Sequence, residues 1–230
     1  MTSLKQKREE RFYAESANRL LGHLWTLVDI KEPPDFEVRA DHQTFGLEVR
    51  RVFADLETDT GSKLKKAESL NSKRIQKIST SYYAAGGKNV SIKFSCDLSS
   101  VSDERIIHTL LNEKSLQDYG SDTIELENIK IYRRSIPQDH DNFTRWVYIN
   151  DKVGWVKSIS ANSLQGAIDK KAENLPAYKQ KYSIVDLLLV ADRTWNSGSM
   201  QIIEDLKINN PGFRTIYLLL HPLKIIRISD

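Results

Sequence analysis

The sequence predicts an α/β fold, a central mixed sheet flanked by helices, on three observations. Ile184 to Val190 is an almost unbroken apolar run, the pattern of a strand buried on both faces. Asp35 to Ala40 and Phe45 to Phe53 read as a strand pair joined by a short polar turn. Apolar residues at helical spacing precede both the pair and the buried run.

The first helix is expected over about Leu4 to Val28, where Tyr13, Ala17, Leu20, Leu21, Leu24 and Val28 form one apolar face. Glu32-Pro33-Pro34 closes it, because proline cannot continue a helix and holds its neighbour extended. Asp41-His42-Gln43 suits the turn between the two strands, and Leu47, Val49 and Phe53 alternate against Glu48 and Arg50 in the second of them. Lys63 to Ile78 reads as a basic amphipathic helix with Leu64, Ala67, Leu70 and Ile78 inward. Gly86-Gly87 marks a loop, Val90 to Cys96 a strand, and Asp103 to Leu111 a helix capped by Ser102 or Asp103. Strands follow at Ile129 to Arg133, Trp146 to Ile149 and Trp155 to Ile159. The closing stretch reads as a helix over Ser163 to Tyr178, the buried strand, a short helix over Ile202 to Ile208, a strand over Phe213 to Leu220, and Leu223 to Ile228 beside it. One domain over 1–230 is expected, with 55–160 as a variable elaboration.

Composition narrows the function classes. The net charge of +3 is too small for nucleic-acid binding by bulk charge, so any such contact must come from local clustering. The one cysteine, Cys96, excludes an internal disulfide and a cysteine-rich zinc site, and a reducing, cytoplasmic setting is expected. MTSLKQKREE has no apolar core for a secretory signal, and the apolar runs are too short to span a membrane, so no membrane association is expected.

The chemistry concentrates in the strand pair. Asp35 opens the first strand and Glu48 lies within the second, so a hairpin register can set the two carboxylates on one face. Carboxylates that close repel unless a cation lies between them, and hard oxygen donors with open water positions suit Mg²⁺ or Mn²⁺. Such an ion polarises a phosphate oxygen and lowers the pKa of a water.

Pro34-Asp35-Phe36 followed by Gly46-Leu47-Glu48-Val49-Arg50 resembles the core of the PD-(D/E)XK nuclease superfamily, the restriction-endonuclease-like fold. The resemblance implies a metal-dependent endonuclease acting on DNA ahead of RNA, with Asp35, Glu48 and the Val49 carbonyl as metal ligands, and it admits a homodimer that cuts both strands. Leu164 to Val190 is similar to the later core of that fold, whereas 55–160 matches none of it.

One position departs from the pattern. The motif lysine should stand two residues after Glu48, and Arg50 stands there; arginine keeps the charge but cannot act as a base. Some members carry the lysine on the following core helix. Here Leu164, Ile168, Lys171 and Leu175 share one helical stripe, which turns Lys171 toward the sheet with Glu48 as its natural partner. Glu10, on the face of Tyr13 and Ala17, is the candidate helical acid of the site. Lys65, Lys66, Lys73, Arg74 and Lys77 are the candidates for gripping nucleic-acid phosphates, although a charge run is most often a solvated face. The rival to an active nuclease is a catalytically inactive nucleic-acid-binding or protein-interaction module of the same fold, which Arg50 keeps in view.

Overall fold

The computed structural model describes residues 3–31, 33–54, 62–96, 98–149, 156–202 and 206–229. Its elements are α1 (Leu4–Leu20), β1 (Thr26–Asp29), β2 (Phe36–Ala40), β3 (Gln43–Arg51), α2 (Lys63–Ala84), β4 (Val90–Cys96), α3 (Asp103–Asn112), β5 (Ser121–Leu126), β6 (Ile129–Ser135) and β7 (Trp146–Tyr148). They continue with β8 (Lys157–Ser158), α4 (Ala161–Ala172), α5 (Leu175–Lys179), β9 (Val185–Asp192), β10 (Met200–Gln201), β11 (Ile216–His221) and β12 (Lys224–Ser229). The chain divides into two compact units, Met1–Leu64 with Val156–Asp230, and Lys65–Trp155. The second unit falls within the stretch that the sequence leaves without a match. No described helix is long and apolar enough to cross a membrane.

The first unit is an α/β layer structure. Its six-stranded mixed sheet runs β1-β2-β3-β9-β11-β12, with β3, β9 and β11 parallel and the outer pairings antiparallel. All eight residues of β9 are buried. Leu188 and Val190 pack with Tyr13, Ala14 and Ala17 of α1, while Leu187 and Leu189 pack with Leu164 and Ile168 of α4 and Tyr178 of α5. A helix layer on each face is what an unbroken apolar strand requires. Inside this layer Asp186 is fully buried and held at both oxygens by Arg214, at 2.9 and 2.5 Å.

Three expectations need correction here. α1 ends at Leu20 rather than Val28, because Gly22 and His23 take left-handed backbone (φ 81° and 61°) and Gly22 N–H caps the Arg19 carbonyl. Leu24 and Val28 continue the helical spacing by coincidence; Val28 belongs to β1, paired with Glu37 of β2. The helix over Ser163 to Tyr178 is two helices. Ser160 caps α4 from an earlier start, accepting from Ser163 N–H at 3.2 Å, and Pro176 in the first turn of α5 is incompatible with a continuous helix. The helix over Ile202 to Ile208 is absent among its described residues; Met200–Gln201 forms β10 on β8, and Gln165 clamps both backbone groups of Asn209. Residues 203–205 of that stretch lie outside the described ones.

The second unit has a four-stranded sheet in the order β5-β6-β4-β7. Ile75, Ile78 and Tyr82 of α2 and Ile106 and Leu110 of α3 pack with Ile92, Phe94 and Ile131. α2 runs on to Ala84, and its inward face is this C-terminal half; Ala67 and Leu70 are exposed, contrary to the sequence reading. β5 carries one buried residue, Ile124, too little apolar pattern to announce a strand.

Candidate active site

The hairpin β2–β3 closes through Asp41 and His42 alone, both in left-handed backbone (φ 45° and 64°), so the pairing starts at Ala40 and Gln43. This turn sets the register, and the last ladder pair is Phe36 with Leu47. Asp35 follows just outside the ladder, close enough to Glu48 for the two charges to interact. Phe36 and Leu47 face α1, so Asp35 and Glu48 share the other face, and the side-chain repeat of two puts Arg50 there as well.

Gly46 makes room for this arrangement. A Cβ there would lie 2.6 Å from Pro34 Cγ and 3.3 Å from the Tyr182 ring. Gly46→Ala is therefore expected to displace Pro34 and Asp35 with it, and to destabilise the protein by about 1–3 kcal/mol in urea unfolding.

The backbone beside the pair is equally specified. Gly46 N–H bonds the Ile184 carbonyl and Val52 N–H the Val190 carbonyl, so even-numbered residues of β3 bond to β9 and odd-numbered ones turn toward β2. Val49 lies past the end of the ladder with β2. Its N–H donates to Asp35 Oδ2 at 2.8 Å.

Glu48 is buried, with 5% of its side chain exposed. The Lys171 ammonium donates to Glu48 Oε1, as the stripe on α4 leads one to expect. The Tyr178 hydroxyl also engages Glu48; burial first, then the charge of Glu48, raises its pKa. Tyr178 escaped the sequence reading, although it extends the Lys171–Leu175 stripe by three residues.

Asp35 is half-buried, and its pKa is raised to about 7. Burial is the largest cause, Glu48 the next, and Glu10 adds to it; the Val49 N–H and Lys171 oppose it. The folded chain therefore holds a proton on Asp35 between roughly pH 4 and about 7, where the unfolded chain does not. The contribution of Asp35 to stability is full below that window and is lost as pH rises through it. Urea midpoints of ion-free protein should show this decline, and Asp35→Asn should flatten it.

A cleft of about 400 Å³ opens beside these groups, with Glu10, Val49, Arg50, Arg51, Tyr13 and Lys171 on its wall. Asp35 and Glu48 are each one contact from that wall, through Val49 N–H and Lys171 Nζ. Glu10 accepts the Gln6 amide at 2.8 Å. Behind the wall lies a cluster that the sequence reading missed: Tyr13 hydroxyl donates to buried Asp192 at 2.7 Å, and Thr194 holds the other Asp192 oxygen. His221 is buried at the end of β11 against Phe12 and Tyr13.

Among the described residues, no three His, Cys, Asp or Glu side chains gather as a metal cluster. The donors at hand are the Asp35 and Glu48 carboxylates, and the resemblance would add the Val49 carbonyl. That is a hard, oxygen-only set, and the like-charge strain on Asp35 is what a divalent ion would relieve, so the residues fit Mg²⁺ or Mn²⁺ that keeps several waters. Comparison with protein-family models, curated proteins and solved structures finds no match.

The basic helix α2 divides into two kinds of residue. Lys66 and Lys73 are exposed and Lys65 is half-buried. Arg74 is engaged internally: Nε meets Asp103 at 2.7 Å, and its other nitrogens donate to the Leu98 and Val101 carbonyls. Lys77 reaches Asp103 at 3.2 Å. Arg74 thus secures the start of α3.

Proposed function

We propose that this chain is a metal-dependent phosphodiesterase of the PD-(D/E)XK kind, an endonuclease acting on DNA in preference to RNA. The observation that carries the reading is the Lys171 ammonium on Glu48 with the Asp35 carboxyl beside it, which gathers two carboxylates and a lysine although the motif position holds Arg50. Asp35, Glu48 and the Val49 carbonyl would hold Mg²⁺ or Mn²⁺. When bound, the ion supplies charge stabilisation at the phosphate and a more acidic water.

The chain's own groups divide the remaining work. Lys171 donates to Glu48 and lies on the cleft wall, where its ammonium can also donate to a phosphate oxygen. Arg50 offers a permanent charge to the oxyanion that develops, but it takes up no proton. Tyr178 orients the Glu48 carboxylate from α5. Glu10 sets a third carboxylate at the cleft. Lys66 and Lys73 remain exposed for phosphate contact.

The test is incubation of plasmid with purified protein and Mg²⁺ or Mn²⁺, beside Asp35→Ala and Glu48→Ala. Cleavage by wild type that disappears in both variants is expected. Cleavage that persists in both overturns the assignment, and nucleic-acid binding without cleavage by wild type would point to a binding module on the same scaffold.

A further inference from the structure

The cleft contains an arginine that the reaction above leaves unused. Arg51 alternates with Arg50 on β3, so it projects to the α1 side, away from Glu48. Its guanidinium lies between two rings, 5.6 Å from the centroid of Tyr13 and 5.5 Å from that of Phe53. Tyr13 is itself fixed by Asp192, so the arginine is held in place from behind. Its hydrogen bonding is nonetheless poorly satisfied. Nη1 reaches Glu9 only at 3.3 Å, and Nε is buried with no hydrogen-bond partner. A guanidinium carries five donors in a rigid fork that matches phosphate oxygens.

The surroundings favour an anion. Lys5, Arg50, Arg51 and Lys171 line the cleft against Glu9 and Glu10, a surplus of cations. A volume of about 400 Å³ exceeds the need of one inorganic ion and falls in the range of small-ligand sites. Val49, whose N–H holds Asp35, is on the same wall, so a strand reacting at the carboxylates would continue into this space.

We infer that Arg51 is a positioning residue that holds a second, non-reacting phosphodiester of the nucleic-acid strand. The inference rests on the nuclease reading, but its test needs neither metal nor cleavage. It uses a fluorescent single-stranded DNA decamer, with chelator present and salt varied. Arg51→Gln should bind the decamer about tenfold to a hundredfold more weakly at low salt, whatever its sequence. The slope of log affinity against log salt should fall by about 0.7, the loss of one phosphate contact on a single strand. A decamer with a neutral methylphosphonate backbone should bind wild type no better than the variant.

An unchanged salt slope in a folded Arg51→Gln protein overturns the inference and leaves the nuclease reading intact. No binding by wild type overturns both. If Arg51→Gln does not fold, Glu9→Gln decides: relieving Arg51 of its acidic partner should tighten decamer binding, and unchanged or weaker binding overturns the inference.

Discussion

Replacing Lys171 with methionine is expected to lower phosphodiester cleavage by about 10²–10³-fold, the usual cost of removing one charge-stabilising donor from an active site. The stripe on α4 brings the ammonium to Glu48 Oε1. Methionine keeps the length and packing of the side chain and removes the charge. Mn²⁺ binding should persist or tighten, since the lysine competes with an ion for the same carboxylate. This contrast separates a lost catalytic contact from a lost metal site. The stability of the ion-free variant should fall at neutral pH, because Glu48 is then a buried carboxylate beside Asp35 with its cation gone. Adding Arg50→Lys to the Lys171→Met protein should recover part of the activity, because it returns a lysine to the Glu48 face of β3. No recovery, with Mn²⁺ binding intact, would mean that the α4 lysine acts from a position that the strand cannot reach.

Arg214→Ala is expected to cost about 3–5 kcal/mol of folding stability, the loss that follows when one partner of a buried ion pair is removed. Asp186 lies in β9 with no exposed surface, and Arg214 meets both its oxygens while covering the Phe45 ring at 4.0 Å. Burial raises the pKa of Asp186 and Arg214 opposes this. Without the arginine the carboxylate is held protonated more strongly, so the variant should lose its deficit as pH falls. Denaturant midpoints of wild type and variant at neutral and acid pH measure both effects. A deficit that does not shrink on acidification would assign the loss to packing of the guanidinium on Phe45 instead.

What the sequence made legible was local. The two-residue repeat in β3, the turn at Asp41-His42 and the stripe through Lys171 each span a few residues, and each sets its side chains on a definite face. Asp35 beside Glu48 and Lys171 on Glu48 followed from them. The buried strand β9 was legible because a continuous apolar run has few other uses. The end of α1 was not, since Leu24 and Val28 continue the helical spacing while Gly22 and His23 break the backbone. Pro176 carried a signal for splitting the helix that the apolar stripe obscured. Arg74 looked like part of a phosphate grip because a charge run does not reveal that its members serve nearby carbonyls. The Tyr13–Asp192 hydrogen bond joins residues 179 apart in the chain, and no local pattern records it. Arg51 was hidden for the same reason, because its setting is made by α1 and the end of β3 together.

The paired-carboxylate metal site is tested most directly by a calorimetric titration of Mn²⁺ into wild type, Asp35→Ala and Glu48→Ala at a pH above the Asp35 transition. Wild type should give a binding isotherm that both substitutions remove and that weakens as pH falls through about 7, where Asp35 takes up its proton. Mn²⁺ binding that is indifferent to both substitutions, or its absence from folded wild-type protein, would contradict the account.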